Sequence, residues 1–271
     1  FCHMQHDLSK DALTRRAARL KLKSMVENLD FILENGQRAS MSNQEFLAYA
    51  LGFEVERREA RRIDLGLKIA HFPRVCTLEG FDFSCQPGVS EGRMRELSRL
   101  EWLASRRNVL LQGPPGVGKT HLAIALGREA VKAGYSTTFI SAGRLMRQLE
   151  EAESSGRLEE KLLQYLKPRL LLIDELGYIP FKTGTAGLFY RLVSTRYESG
   201  SIMVTTSRPA GEWGIVMNDV AMAGAVLDRF LHHCEVLTIR GDSYRLREAR
   251  RDGVLKGEGT PPGDGSATDG K

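Results

Sequence analysis

The chain lacks any apolar run near the roughly 18 residues that span a bilayer, and Phe1–Lys10 contains no apolar signal core. No membrane partner is therefore expected, and the expected location is the cytoplasm, with Met4 the candidate initiator. Cysteine is scarce: Cys2, Cys76, Cys85 and Cys234 form no CxxC pair and have no histidine at zinc-ligand spacing. His232, His233 and Cys234 are consecutive, so a helix or strand cannot turn all three toward one metal. A disulfide scaffold and a structural zinc site are both excluded, and reduced thiols are expected. There is no internal repeat. A hydrophobic fraction of 42% with 27% charged residues fits a folded protein with a charged surface, and the net charge of +5 favours polyanionic partners.

Three regions differ in composition. Residues 1–72 read as a helical accessory domain. Leu13, Ala17, Leu20, Met25 and Leu29 recur at helical spacing, and Ser42–Asn43 can cap a helix from Gln44. Dense charge from Glu54 to Lys68 includes the i,i+4 pair Glu54–Arg58, so part of this run reads as a self-neutralising solvated face, and the helix is expected to stop at Phe72–Pro73. Residues 73–250 open with a loop-rich link and then alternate strands with helices. Strands are expected at Asn108–Gln112, Ser136–Ser141, Leu170–Ile173, Ser201–Thr206 and Glu235–Arg240. Helices are expected at His121–Ala133, Leu145–Glu153, Gly187–Glu198 and Val220–His232. This rhythm predicts an α/β fold, a parallel sheet with helices on both faces. Residues 251–271, with many Gly and Pro and no apolar periodicity, read as a disordered tail.

The chemistry-bearing motif is Gly113-Pro114-Pro115-Gly116-Val117-Gly118-Lys119-Thr120, a GxxxxGK[ST] sequence between an expected strand and an expected helix. Its glycines let main-chain N–H groups converge on phosphate oxygens, and the following helix adds the positive end of its dipole. Lys119 supplies a mobile cation for the outer phosphates, and the Thr120 hydroxyl is a hard ligand suited to Mg²⁺. Leu170–Ile173 followed by Asp174-Glu175 is the complementary element. Four apolar residues suit a buried strand whose open end presents two carboxylates, Asp174 for the Mg²⁺ shell and Glu175 to polarise the attacking water. The run Val204–Pro209 closes the next strand, where a hydroxyl could orient that water.

Gly113–Leu122 (GPPGVGKTHL), Leu171–Tyr178 (LLIDELGY), Ser207–Trp213 and Leu227–Tyr244 (LDRFLHHCEVLTIRGDSY) together resemble the IstB family from about Leu20 to Arg247. These are ATP-dependent helpers of bacterial insertion-sequence transposases, related to the replicative-helicase loaders. The resemblance implies an AAA+ P-loop NTPase core preceded by a small all-α domain, with ATP held by Gly113 through His121. It also implies ATP hydrolysis, assembly into a homo-oligomer on double-stranded DNA, and delivery of that DNA to a cognate transposase at the nucleoid. Carried over by position, Arg229 is the arginine finger acting on a neighbouring subunit and Arg245 the sensor arginine of its own. Ser207 stands where the family usually has Asn; a shorter side chain there implies slow hydrolysis, or Thr206 in its place.

Two other functions compete. A helicase loader would share the core and differ in what its helical domain grips; the arginine-rich Ala12–Lys23 segment favours DNA. A weakly hydrolysing, nucleotide-gated scaffold is the third, kept open by Ser207.

Overall fold

A computed structural model describes residues 9–251. The tail expected beyond Arg251, and the expectations about Met4 and Cys2, lie outside the described residues. The chain divides into two compact units between Lys68 and Ile69. No helix of the described residues is long and apolar enough to cross a membrane.

The first unit is helical: α1 (Lys10–Arg19), α2 (Lys23–Glu27), α3 (Leu29–Arg38) and α4 (Asn43–Ile69). Its apolar spacing does not run through as one period. Lys21 at φ 59° and Ser40 at φ 48° are left-handed and break the helices. Leu20, placed on the buried stripe by spacing alone, caps α1 and is exposed. Ala12, Ala17, Leu29, Ile32 and Ala50 form the buried set. Ser42 and Glu45 form a reciprocal capping box at the start of α4, Ser42 N–H donating to Glu45 Oε2 and Glu45 N–H to Ser42 Oγ.

Glu54 corrects the solvated-face expectation. Its side chain is buried and accepts from Ser24 N–H at 2.9 Å and Arg58 Nε at 2.8 Å. Burial pushes its pKa up, but these donors outweigh burial and hold it below the ordinary value. The expected boundary at Phe72–Pro73 also shifts. His71 is left-handed, Ala70 is fully buried with its carbonyl accepting from Phe139 N–H, and Phe72 meets the Phe139 ring edge-on. Those contacts assign Ala70–Phe72 to the second unit.

That unit holds α5 (Glu91–Ser98), α6 (Glu101–Ala104), β1 (Asn108–Gln112), α7 (Lys119–Lys132), β2 (Thr137–Ser141), α8 (Ala142–Ser154), α9 (Leu158–Leu166) and β3 (Leu170–Leu176). It continues through α10 (Ala186–Arg196), β4 (Ser201–Thr206), α11 (Trp213–Met217), α12 (Val220–His232), β5 (Cys234–Thr238) and α13 (Tyr244–Arg251). The strands form one parallel sheet in the order β2-β3-β4-β1-β5. Alternate side chains feed two cores, as a sheet covered on both faces requires. Leu110, Leu171, Ile173, Ile202 and Val204 join one, with residues of α8, α9, α10 and α12. Val109, Leu111, Leu170, Leu172 and Met203 join the other, with α5 and α7. Helices α5 and α9 were not expected from the sequence, and β5 is shorter than expected.

Arg196, only 1% exposed, closes the end of the sheet remote from the loop after β1. Its guanidinium donates to the carbonyls of Tyr165, Pro168, Arg169 and Ser201 at 2.7–3.2 Å. Burial, with the Arg169 charge, pulls its pKa down to about 10. Replacing it strands several buried acceptors. Arg196→Met is expected to lower stability by on the order of 3 kcal/mol, read as a lower urea midpoint with unchanged slope; an unshifted midpoint would contradict this role.

Candidate nucleotide-binding site

The loop between β1 and α7 is shaped by two left-handed glycines. Gly116 has φ +83° and Gly118 φ +93°; a Cβ at the first would lie 2.0 Å from Ser243 Oγ and at the second 2.5 Å from the Phe81 ring. Gly118 starts α7, so the free N–H groups of its first turn face the loop's concavity. Lys119 is buried and its Nζ donates to the carbonyls of Gly113 (2.7 Å) and Pro114 (2.6 Å). Burial is the main influence lowering its pKa; Asp174 opposes the shift and Arg245 adds to it.

Asp174 sits at the open end of β3, buried. Its Oδ1 accepts from the Thr120 hydroxyl at 2.8 Å and the Thr205 hydroxyl at 2.6 Å. Thr205 in turn accepts from Glu175 N–H at 2.9 Å. Glu175 is left-handed at φ +60°, and the β3–β4 register shifts between Ile173 and Leu176. A non-glycine residue held there stores strain of about 1–3 kcal/mol, and the turn leaves the Glu175 side chain exposed while Asp174 is buried. A cavity of about 300 Å³ is lined by Pro115 through His121, by Glu175, Thr205, Ser207 and Arg245, and by Arg74, Phe81, Gln86, Tyr178 and Tyr244.

Most of the expected residues are thus brought together, with exceptions. Gly113 and Pro114 contribute carbonyls to Lys119 and do not line the cavity. His121 does line it, but its Nε2 donates to Thr77 O at 2.8 Å and its ring meets Phe81, so it also secures the loop ahead of β1. Thr206 also lines the cavity; its buried hydroxyl donates to Leu176 O and accepts from Arg208 N–H, whereas Ser207 is less buried. Arg229 lies outside the cavity, 4.7 Å over the Tyr190 ring and bonded to the Ser194 hydroxyl. Thr205 lay within the expected Val204–Pro209 run, but its bond to Asp174 was not foreseen. Its pairing with Leu111, which the strand register supplies, carries no signal in the sequence. Among the described residues no cluster of three or more His, Cys, Asp or Glu side chains could hold a metal. The oxygens of Thr120 and Asp174 are the hard donors that suit Mg²⁺ alongside a phosphate chain.

The model of the IstB-like ATP binding protein family matches residues 15–252. The chain is 43% identical to the ATP-binding protein of insertion sequence IS21 from Pseudomonas aeruginosa, over 91% of this chain and 93% of that one. It is 40% identical to the corresponding protein of IS5376 from Geobacillus stearothermophilus, over 89% and 96%. Among solved structures, AMPPCP-bound DnaA from Aquifex aeolicus superposes with a TM-score of 0.51 at 25% identity, covering 67% of this chain and 56% of that one. A phosphate loop, a carboxylate pair and a parallel sheet in this order, with similarity running through the helical unit, lead to one assignment: the chain belongs to the family of IstB-like ATP-binding proteins.

Proposed function

We propose that the chain is an ATPase that assembles on duplex DNA and serves the transposase of an insertion sequence. The observation carrying this reading is the convergence of the Thr120 and Thr205 hydroxyls on one buried Asp174 oxygen, with Glu175 on a strained turn at the same cavity. That arrangement fits hydrolysis better than passive binding. Main-chain N–H groups of the loop and Lys119 bind the phosphates. Mg²⁺, held by the Thr120 hydroxyl and the Asp174 carboxylate, would offset phosphate charge. Glu175 polarises the lytic water, and Ser207 at the cavity wall helps to orient it. Arg245 acts from its own subunit.

The basic face of α1 supports a DNA partner. Arg16, Arg19, Lys21 and Lys23 are exposed around the end of that helix and the turn after it. Contacts of this kind go to phosphates and are nearly indifferent to sequence. Transposition is favoured over helicase loading because the similarity to insertion-sequence proteins includes the helical unit, from residue 15 onward. The chain would then act in the cytoplasm, at the nucleoid.

Turnover is expected to rise with duplex DNA, and the stimulation to fade as salt rises. Lys119→Ala should lose nucleotide binding. Glu175→Gln should keep binding while hydrolysis falls by orders of magnitude. Wild-type turnover in Glu175→Gln would remove Glu175 from the chemistry.

Arg229, held outside its own cavity, supports a finger acting in trans. An arginine stays charged and offers two parallel donors to phosphate oxygens, and arginine fingers contribute roughly 10³- to 10⁵-fold in rate. Arg229→Ala and Lys119→Ala subunits should each be inactive alone. Mixed on DNA, they should regain part of the ATPase activity. No recovery in assemblies shown to be mixed would return Arg229 to a structural role.

A further inference from the structure

Arg229 emerges at the seam between α10 and α12. On α12 it lies beside the buried stripe Ala223, Val226 and Phe230. On α10, Leu188, Phe189, Leu192 and Val193 are buried, and Tyr190 and Ser194, one helical turn apart, sit half-buried at the edge of that stripe. The Arg229 guanidinium lies 4.7 Å over the centre of the Tyr190 ring and donates through Nη1 to the Ser194 hydroxyl. No carboxylate among the described residues forms an ion pair with it. Other arginines of this unit are held differently. Arg191, beside Tyr190 on α10, is bridged to Glu159, and Arg93 and Arg107 both reach Glu235.

The two ways of holding an arginine differ in what they leave free. A carboxylate neutralises the charge and occupies the fork of donors that would meet a phosphate. A ring face and a hydroxyl do neither. The ring attracts the cation without cancelling its charge, and one hydroxyl takes one of five N–H donors. The long side chain is thereby ordered before any anion arrives, while its charge and most of its donors stay available. Its own cavity lies a strand's length away. The carbonyl of Phe230, next in the chain, accepts from Asn108 Nδ2 at 2.9 Å, and Asn108 opens β1 at the end opposite the phosphate loop.

We propose that Tyr190 and Ser194 are positioning residues for Arg229: they fix its guanidinium at the seam of α10 and α12, unneutralised, ready for the γ-phosphate of ATP bound by a neighbouring subunit. The proposal rests on Arg229 acting in trans as a finger. An arginine without these supports must be ordered as the transition state forms, which slows the chemical step. The phosphate loop that binds ATP is untouched.

The test is DNA-stimulated ATP turnover by the full chain, with kcat and KM separated. Tyr190→Leu keeps apolar bulk and removes the ring face; kcat should fall about tenfold, the scale of a partly desolvated cation–ring contact, with KM little changed. Tyr190→Phe keeps the face and should retain the wild-type rate. Ser194→Ala should lower kcat in the same sense. Mixing supplies the distinguishing readout. Lys119→Ala subunits cannot bind ATP but carry a sound finger with both supports. In assemblies shown to be mixed, an excess of them should raise turnover per Tyr190→Leu subunit towards the wild-type value. A loss confined to the Tyr190→Leu subunit's own fold or cavity is not repaired by a neighbour, so absence of that rise would overturn the proposal. So would a fall in Tyr190→Phe as large as in Tyr190→Leu. A slow Arg229→Ala beside wild-type kcat in both Tyr190→Leu and Ser194→Ala would remove the positioning role alone. If Arg229→Ala itself turns over as the wild type does, the finger reading fails and the positioning role falls with it.

Discussion

The site depends on one buried oxygen, Asp174 Oδ1. Two hydroxyls converge on it, Thr120 from the first turn of α7 and Thr205 from β4, and Asp174 itself lies on β3 directly before the exposed Glu175. A carboxylate removed from water is tolerated only when its charge is met by donors. Here those donors come from the two elements that must keep register with β3. The sheet supplies the alignment: β4 lies between β3 and β1, and Thr205 pairs with Leu111, near the end of β1 from which the phosphate loop departs. Thr205 then accepts from Glu175 N–H and so supports the strained turn that separates the two acids, one buried and one exposed.

A second set of contacts closes the other side. The chain leaving β5 crosses beside the phosphate loop: Ile239 N–H donates to Gln112 O, and Tyr244 N–H donates to Gly116 O. Arg245 is carried to the cavity by that crossing, and Gln86 ties the same segment to the loop ahead of β1. The cavity is therefore assembled from segments far apart in sequence, held together largely by main-chain groups.

Legibility in the sequence followed the range of the interactions. The phosphate loop and the acidic strand end were readable because each is a local main-chain geometry with fixed residue demands, and the alternation of strands and helices was readable from apolar runs. The wall of the cavity formed ahead of β1 was not. Phe81 and Gln86 sit in a segment without periodicity, and the partners that give them meaning, Gly118 and Asp242, are supplied by the fold. Glu54 misled for a similar reason: its i,i+4 arginine is real, but the buried bond to Ser24 N–H decides its environment. Leu20 misled because a periodicity count ignores where the backbone turns left-handed. Thr206 and Thr205 differ by one residue, and only the register of β4 shows which hydroxyl faces Asp174.

The central claim is that Thr205 holds Asp174 in the geometry a metal–nucleotide pair requires. Thr205→Val keeps the shape of the strand residue and removes the hydroxyl. The direct measurement is ATP affinity of this variant and of the wild type, each with Mg²⁺ and with a chelator. The account predicts similar affinities in the chelator and a loss of about tenfold or more in the Mg²⁺-dependent part, the scale of lost support for a metal-binding side chain. A variant whose affinity rises with Mg²⁺ as much as the wild type's would contradict it.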